Sequence, residues 1–480
     1  MKNNSLSSND EIYTGTLRYQ GEDYHFALSG AKLRLIPTSE EKRAALQKLG
    51  LREIKKGIYT LGNQPRMEED VLIGSCYENG KPIIFLPQKN AYISIQNLVL
   101  LVDLKAYIIC TGNQNSFSRI SFTGPEINCI HPTNQAIECS FDAETFVNSG
   151  TFSVAAKDFE RTTTQRQSFV VDGKTVSVYF GVSRTMSTKI WEPPMTLSSN
   201  MMFEFEATDD YQFVLRLWYI AKQFIQLLCY RKNIQFDQVK LAAPYKEGKY
   251  QNFAEVFVLD KGEETEIQTL KNGRYIRQTC ISGHEGQILS DIANNKVYLR
   301  HLPESFRQGQ SIDAARFVMI TAAFEWEFNR LFPDGISKSE ERVAAELEVS
   351  QKLRELIDAN SGKTKKIYKS LLYSINHSSS LSNKIEEMGR SMGSVLEPFG
   401  KQLYEFNQEQ LSYPDMGKRL ADQRNHFAHG DLDQDFIGLS LLDLIFLERI
   451  IYAMQLKGFG LEDKQIQSAI NDLFQCRFAM

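Results

Sequence analysis

Over roughly the first 200 residues, apolar and polar positions alternate in short runs separated by turn residues. Stretches such as YTGTLRY, YHFAL and AKLRLIP set every second side chain on one face, the period of a half-buried antiparallel strand. The clearest unit is SFVVDGKTVSVYF at 168–180, two β-branched runs around Asp172-Gly173. That pair predicts a tight type I′ hairpin, because both central residues need positive φ. FEFEA at 203–207 alternates again. Between these runs, SEEKRAALQKLG at 39–50 predicts a short helix capped by Ser39 and stopped by Gly50.

From Asp210 the period lengthens. YQFVLRLWYIAKQFIQLLCYRKN has the apolar density of a long, largely buried helix. Strand-like pieces, QVKLAA and AEVFVL, follow, and the turn-rich HLPESFRQGQS at 301–311 marks a boundary. Beyond residue 311 the helical period dominates. Ser311 is placed to cap a helix carrying Phe317, Ile320, Phe324 and Phe328 on one stripe, ended by Pro333-Asp334-Gly335. Further helices are expected over 338–359, 363–389, 415–429, 436–458 and 463–476. The expected class is therefore α+β and multidomain: a β-rich N-terminal half with an embedded helix, then an all-α helical bundle. The expected divisions are a β-rich domain at 1–208, a mixed α/β continuation at 209–305 and an all-α domain at 306–480.

Composition adds bounds. A chain of 480 residues is too long for one core of usual size. Only the first ten residues, MKNNSLSSND, lack any apolar face. A net charge of −4 argues against a surface that coats nucleic acid nonspecifically, while leaving room for a local basic groove. No apolar run reaches the roughly 20 residues a membrane span needs. The nearest, LVLLVDLKAYIIC at 98–110, is broken by Asp103 and Lys105. With no signal-peptide pattern at the N-terminus, a cytoplasmic protein without a membrane partner is expected. Seven scattered cysteines without a CxxC point to a reducing compartment and mostly buried thiols.

Common chemical motifs are missing. The chain has no GxxxxGK[ST], HExxH or GxSxG, and SGKTKK at 361–366 lacks the upstream glycine and strand of a phosphate loop. Cys129, His131 and Cys139 are zinc-type ligands at a spacing that matches no standard site, so no metal is expected there. What remains is QRNHFAHG at 423–430, which holds two of the seven histidines. On a helix Asn425 and His429 share a face, and Arg424 lies about 140° from His429. One ideal helix does not aim Arg424 and His429 at a common point. Either Gly430 lets the last turn deform, or a second copy across a two-fold axis completes the cluster.

These residue types suit RNA phosphodiester cleavage. A histidine can take a proton from a ribose 2′-hydroxyl or give one to the leaving oxygen. Arg424 can hold the phosphate through its planar fork, and Asn425 can fix a backbone group or the imidazole tautomer. RNA carries its own nucleophile, so this chemistry requires no metal or cofactor. The competing reading is that the same side chains only finish a helix, where the macrodipole favours cations.

Arg424-Asn425-x-x-x-His429, late in an all-α domain and followed by a turn and a long apolar helix, resembles the R-x(4–6)-H signature of HEPN domains. The preceding KRLADQ and the following GD resemble the ApeA-type branch, which joins a large β-rich N-terminal domain to a C-terminal HEPN domain. The specific motif covers only 418–431. The resemblance implies a metal-independent endoribonuclease of antiphage abortive infection, a toxin that leaves 2′,3′-cyclic phosphate ends. It also implies an active site assembled in a homodimer or higher oligomer through the HEPN domain. Arg424 and His429 would be the catalytic pair, with Asn425 beside them. RNA, with transfer RNA as one candidate, would be the substrate, and the N-terminal region would sense a phage-derived trigger or restrain activity. His426 lies outside the minimal pattern and is either an RNA contact or a packed side chain.

Accessory candidates are Lys418 and Glu327, the latter either facing the cluster or lying on a solvated face. KTKKIYK at 363–369 supplies Lys363, Lys365, Lys366 and Lys369 as a track for RNA backbone, or else a solvated charged face. Lys384 and Arg390 extend it, and Tyr368 and Tyr373 add stacking groups. The alternative is a noncatalytic HEPN interaction or dimerisation protein with a β-rich ligand- or partner-binding domain. The intact Arg-Asn-His set favours the ribonuclease, because a pure scaffold has no need of it.

Overall fold

The computed structural model describes residues 12–476 except 62–65, 95–96, 113, 115, 141–146, 151–152, 247, 261–269, 272, 337–339, 377–379 and 429–435. The class is mixed α+β, β-rich in the N-terminal half and helical in the C-terminal half. Two compact units divide the chain: Met1–Leu228 with Lys232–Lys271 and Glu285–Ala293, and Cys229–Arg231 with Asn272–His284 and Asn294–Met480. The stretch 209–305 is thus shared between the two units.

In the first unit, β1 (Ile12–Tyr19), β2 (Glu22–Ser29) and β3 (Lys32–Pro37) are the first three alternating runs. After α1 (Glu40–Gly50) and the hairpin β4 (Leu51–Lys55)–β5 (Ile58–Leu61) come β6 (Leu72–Cys76), β7 (Pro82–Ser94) and β8 (Val99–Cys110). β3 pairs with β8, β8 with β7, β7 with β6 and β6 with β1, so six antiparallel strands close into a ring. Closure pairs both edges of these strands, and Leu17, Phe26, Leu35, Phe85 and Val102 fill the interior. Gly15 is needed on β1: a Cβ there would meet the Ser75 carbonyl oxygen at 2.0 Å and the Phe26 ring at 2.6 Å.

β8 also carries the sheet outward. Its last residues pair with β16 (Lys249–Val258). The other strands of this half are β9 (Phe117–Thr123), β12 (Gln167–Val171), β13 (Lys174–Met186), β14 (Met195–Thr208) and β15 (Gln238–Lys246). They follow in the order β16-β15-β9-β14-β13-β12, with β10 (Ile137–Ser140) and β11 (Ser153–Ala156) as a separate pair. Asp172 and Gly173 have φ of 50° and 78° and join the paired Val171 and Lys174, the tight hairpin that their sequence predicts. The embedded helix α2 (Tyr211–Cys229) covers one face of this sheet, with Phe213 against Phe205 at 5.2 Å and Phe224 against Phe180 at 6.5 Å. A further helix, α3 (Glu285–Ala293), packs on β12, where a Cβ on Gly286 would come within 2.7 Å of the Ser168 carbonyl oxygen.

The second unit is built on α4 (Ala314–Leu331), α5 (Glu340–Ala359), α6 (Gly362–Asn376), α7 (Leu381–Phe406), α8 (Tyr413–Ala428), α9 (Ser440–Gly458) and α10 (Asp463–Phe474). Two expectations need correction. The cap of α4 is Asp313, not Ser311: its Oδ1 accepts from the Arg316 amide at 2.7 Å, and a carboxylate there also suits the helix dipole. The single helix expected over 363–389 is two, because the Ser380 hydroxyl accepts from the Asn383 amide and starts a new one. That new helix, α7, runs on to Phe406 and is non-helical at Met392. Pro398 within it cannot donate to the Ser394 carbonyl, which accepts instead from Gln467 Nε2 at 3.4 Å. No helix of the described residues is long and apolar enough to cross a membrane.

Of the zinc-type trio, His131 is buried and its Nε2 donates to the Thr162 carbonyl oxygen at 3.1 Å, whereas Cys139 is exposed. Among the described residues no three His, Cys, Asp or Glu side chains gather as metal ligands. Burial pushes the His131 imidazole down to about 4. Between about pH 6.5 and pH 4 the unfolded chain therefore takes up a proton that the folded chain refuses, and stability falls as pH falls. By pH 5 this amounts to roughly 2 kcal/mol. Denaturant unfolding at pH 7 and pH 5 should show a smaller loss for His131→Gln, which keeps an N–H donor but does not titrate.

Candidate functional site

Helix α8 presents Met416, Leu420, Gln423 and Phe427 inward at three- and four-residue spacing. Its docking is fixed by Arg419, which grips Asp443 on α9 with both oxygens, at 2.6 and 2.7 Å. The Tyr404 hydroxyl donates to the same carboxylate. Near the C-terminus of α8, Gln423 Oε1 accepts from the Ile437 amide at 2.8 Å and from the Ser440 hydroxyl at 3.1 Å, tying α8 to the start of α9. Phe427, Phe317 and Phe436 form a triangle of rings with centroids 5.3 to 5.9 Å apart. The residues on either side of 429–435 are thereby held against α4. His429, half of the expected catalytic pair, lies outside the described residues.

Arg424 follows Gln423 and is turned about 100° from it. Its Nη1 donates to Glu325 Oε2 on α4 at 2.9 Å, and its side chain is one-third exposed (33%). The other Glu325 oxygen lies 3.9 Å from Lys384 Nζ, on α7. Lys384 is almost enclosed, donating to Asn329 Oδ1 at 3.2 Å and lying 5.7 Å from the centre of the Phe328 ring. One carboxylate thus braces two cations from two different helices, leaving the group one positive charge in excess. Among the described residues Arg424 makes no second hydrogen bond, so Nε and Nη2 remain available for a phosphate oxygen.

Asn425 is exposed, His426 half-buried and Lys418 exposed. Glu327 occupies neither of the places expected for it. It is fully buried, with Oε2 accepting from Arg330 Nε at 2.7 Å and Oε1 from the Tyr298 amide at 3.0 Å and Gln455 Nε2 at 3.1 Å. Two residues along a helix rotate a side chain by about 200°, so Glu325 and Glu327 point to opposite sides of α4. The signal for Glu325 is the line Thr321, Glu325, Asn329 at four-residue spacing beside the phenylalanine stripe. On α6, Lys363, Lys366 and Lys369 are exposed and Lys365 is half-buried; Tyr373 is exposed and Tyr368 half-buried. Arg390 is engaged by Glu387 at 2.8 Å and Glu386 at 3.4 Å.

Compared with protein-family models, curated proteins and solved structures, the chain matches none.

The two carboxylates of α4 should separate cleanly in their energetics. Glu327→Ala leaves Arg330 and Gln455 without their partner in the interior and should cost about 3–5 kcal/mol. Glu325→Ala removes a partly exposed pair and should cost less than about 1 kcal/mol. Urea unfolding of the two variants checks this; equal losses would contradict the assignment of Glu325 to the surface cluster.

Proposed function

We propose that the chain is a metal-independent endoribonuclease of the ApeA-like HEPN type, cutting RNA in antiphage abortive infection. The observation that carries this reading is the one-third-exposed Arg424 guanidinium near the end of α8, braced by Glu325 with donors to spare and five residues before His429 in the sequence. In the proposed reaction the ribose 2′-hydroxyl attacks the adjacent phosphorus. His429 takes its proton or protonates the leaving 5′-oxygen, and a 2′,3′-cyclic phosphate results. Arg424 neutralises the charge that grows on the non-bridging oxygens. Glu325 and Lys384 position Arg424: the carboxylate orients the guanidinium, and the lysine keeps that carboxylate from cancelling its charge. Asn425, exposed beside Arg424, contacts RNA or the imidazole. The nucleophile comes from the substrate, and no metal or cofactor takes part in the scheme.

The working form is a homodimer or higher oligomer in the cytoplasm, assembled through the helical unit, with a phage-derived trigger acting through the β-rich unit and transfer RNA as a candidate target. One observation favours a second reading, a noncatalytic interaction protein. The α5–α6 hairpin exposes Leu347, Ile367, Leu371 and Tyr373, apolar surface suited to a protein partner.

Purified protein incubated with total RNA in excess EDTA should cleave it to 2′,3′-cyclic phosphate ends. Arg424→Ala and His429→Ala should each lose about 10²–10⁴-fold in rate. Glu325→Gln should lose less, since it acts through Arg424. Because a trigger can be required in vitro, the same variants are scored for toxicity on expression in phage-infected cells. Toxicity unchanged by both Arg424→Ala and His429→Ala would overturn the catalytic assignment and leave the interaction reading.

A further inference from the structure

The outer half of the sheet has two unlike faces. One carries Phe180 and Phe205 against α2. The opposite face is polar: Arg119 and Ser121 on β9, Lys240 on β15, Asn200 on β14, Ser183 on β13 and Asn252 on β16 line a cavity of about 600 Å³. Small-molecule sites run from roughly 300 to 1,000 Å³. Phe159 forms one wall. It lies over Gly181, where a Cβ would come within 2.6 Å of the ring, so only glycine lets it close down on the strand.

The charges in this cavity are unbalanced in a specific way. Arg184 is satisfied, by the Ala156 carbonyl oxygen at 3.1 Å and Asp158 Oδ1 at 2.9 Å. Arg119 and Lys240 are not. Among the described residues neither makes a side-chain hydrogen bond or ion pair, and Arg119 Nε is buried without any partner. Glu204 stands opposite Arg119 across the strand pair, but its oxygens are spent on Arg166 and the Tyr179 hydroxyl. The Arg119 guanidinium instead lies flat over Tyr250, 4.1 Å from the ring centre, which orients it without neutralising it. Register places Lys240 opposite Ser121, one pleat from Arg119 on the same face, so both cations address one end of the cavity. Glu255 stands opposite Lys240 on β16, as Glu204 stands opposite Arg119, but neither carboxylate is hydrogen-bonded to its cation, which leaves both cations free to bind an anion.

The remaining lining narrows the class. Asn200 is buried and its Nδ2 donates to Ser183 Oγ at 2.8 Å and the Ser198 carbonyl oxygen at 2.9 Å, so its Oδ1 is left to accept from a ligand. Hydroxyl and amide groups alternate beside it, the Glu160 carboxylate lies at the rim, and the Phe159 ring offers a stacking face. We propose that this cavity binds a phosphorylated nucleoside. The phosphate lies between Arg119 and Lys240, and the sugar and base are taken by Asn200, Asn252 and Phe159. The site belongs to the β-rich unit, and the inference does not depend on the ribonuclease reading.

The test is calorimetric titration of the full chain with the four ribonucleoside 5′-monophosphates, their parent nucleosides and inorganic phosphate. At least one monophosphate should bind with a Kd below about 1 mM. Its nucleoside and phosphate alone should bind at least about tenfold more weakly, since each makes only part of the contacts. Arg119→Gln and Lys240→Gln should each weaken binding about tenfold or more, with Lys352→Gln on α5 as an unaffected control. Among the described residues Arg119 makes no side-chain hydrogen bond, only the stacking contact with Tyr250, so its variant should fold and melt no more than a little below the parent without ligand. If it fails to fold, Lys240→Gln carries the test. The proposal is overturned if no monophosphate binds, if phosphate alone binds as tightly as the nucleotide, or if the folded variants bind as the parent does.

Discussion

The helical unit depends on filling the hydrogen-bonding capacity of a few buried polar groups. α9 is enclosed on nearly every side and carries Asp443, Glu448 and Gln455 into the interior. Asp443 is claimed by α8 and α7, and Glu448 and Gln455 by α4. Asp443 takes Arg419 of α8 and Tyr404 of α7, while Glu448 takes Arg316 of α4 at 2.8 Å together with Tyr230. Gln455 bonds Glu327 of α4, which is in turn tied to Arg330. Burial still holds the Glu448 carboxyl above its usual range despite the arginine beside it. Leaving any of these groups alone costs several kcal/mol, so the helices settle where all are met together.

The candidate site inherits its geometry from that arrangement. Arg419 and Gln423 fix the rotation and the end of α8, and that rotation sends Arg424 toward α4. α4 is itself set by Arg316 and Glu327, which leaves Glu325 on the side that meets Arg424 and Lys384. The rigid interior pairs and the partly exposed surface pair thus have different physical roles. The first define where the helices stand; the second tunes one guanidinium that water, or a phosphate, can reach.

In the β-rich unit the organising feature is β8, whose two edges are both paired. One is covered by β7 along its length, and the other is divided between β3 and β16. The same strand closes a ring and starts an open sheet, so no separate core is needed to join them. Because α2 covers only one face of that sheet, the other is free to be polar, and the cavity with Arg119 and Lys240 forms there.

Features governed by short-range periodicity were legible in the residues themselves. The alternating strands, the hairpin at Asp172-Gly173, the embedded helix and the change to a helical C-terminal half all follow from side-chain direction and local backbone preference. What the residues did not disclose depends on groups distant in the chain. The ring closed by β8 belongs to that class. So do the pairing of Arg424 with Glu325 rather than Glu327 and the placing of Arg119 and Lys240 on neighbouring strands, where among the described residues neither makes a side-chain hydrogen bond. The caps at Asp313 and Ser380, by contrast, are local bonds to an amide three residues on, chosen among several nearby candidates. A sequence reports which way a side chain leaves its own helix or strand. Which distant group then shares its desolvation is decided only when the whole unit is packed.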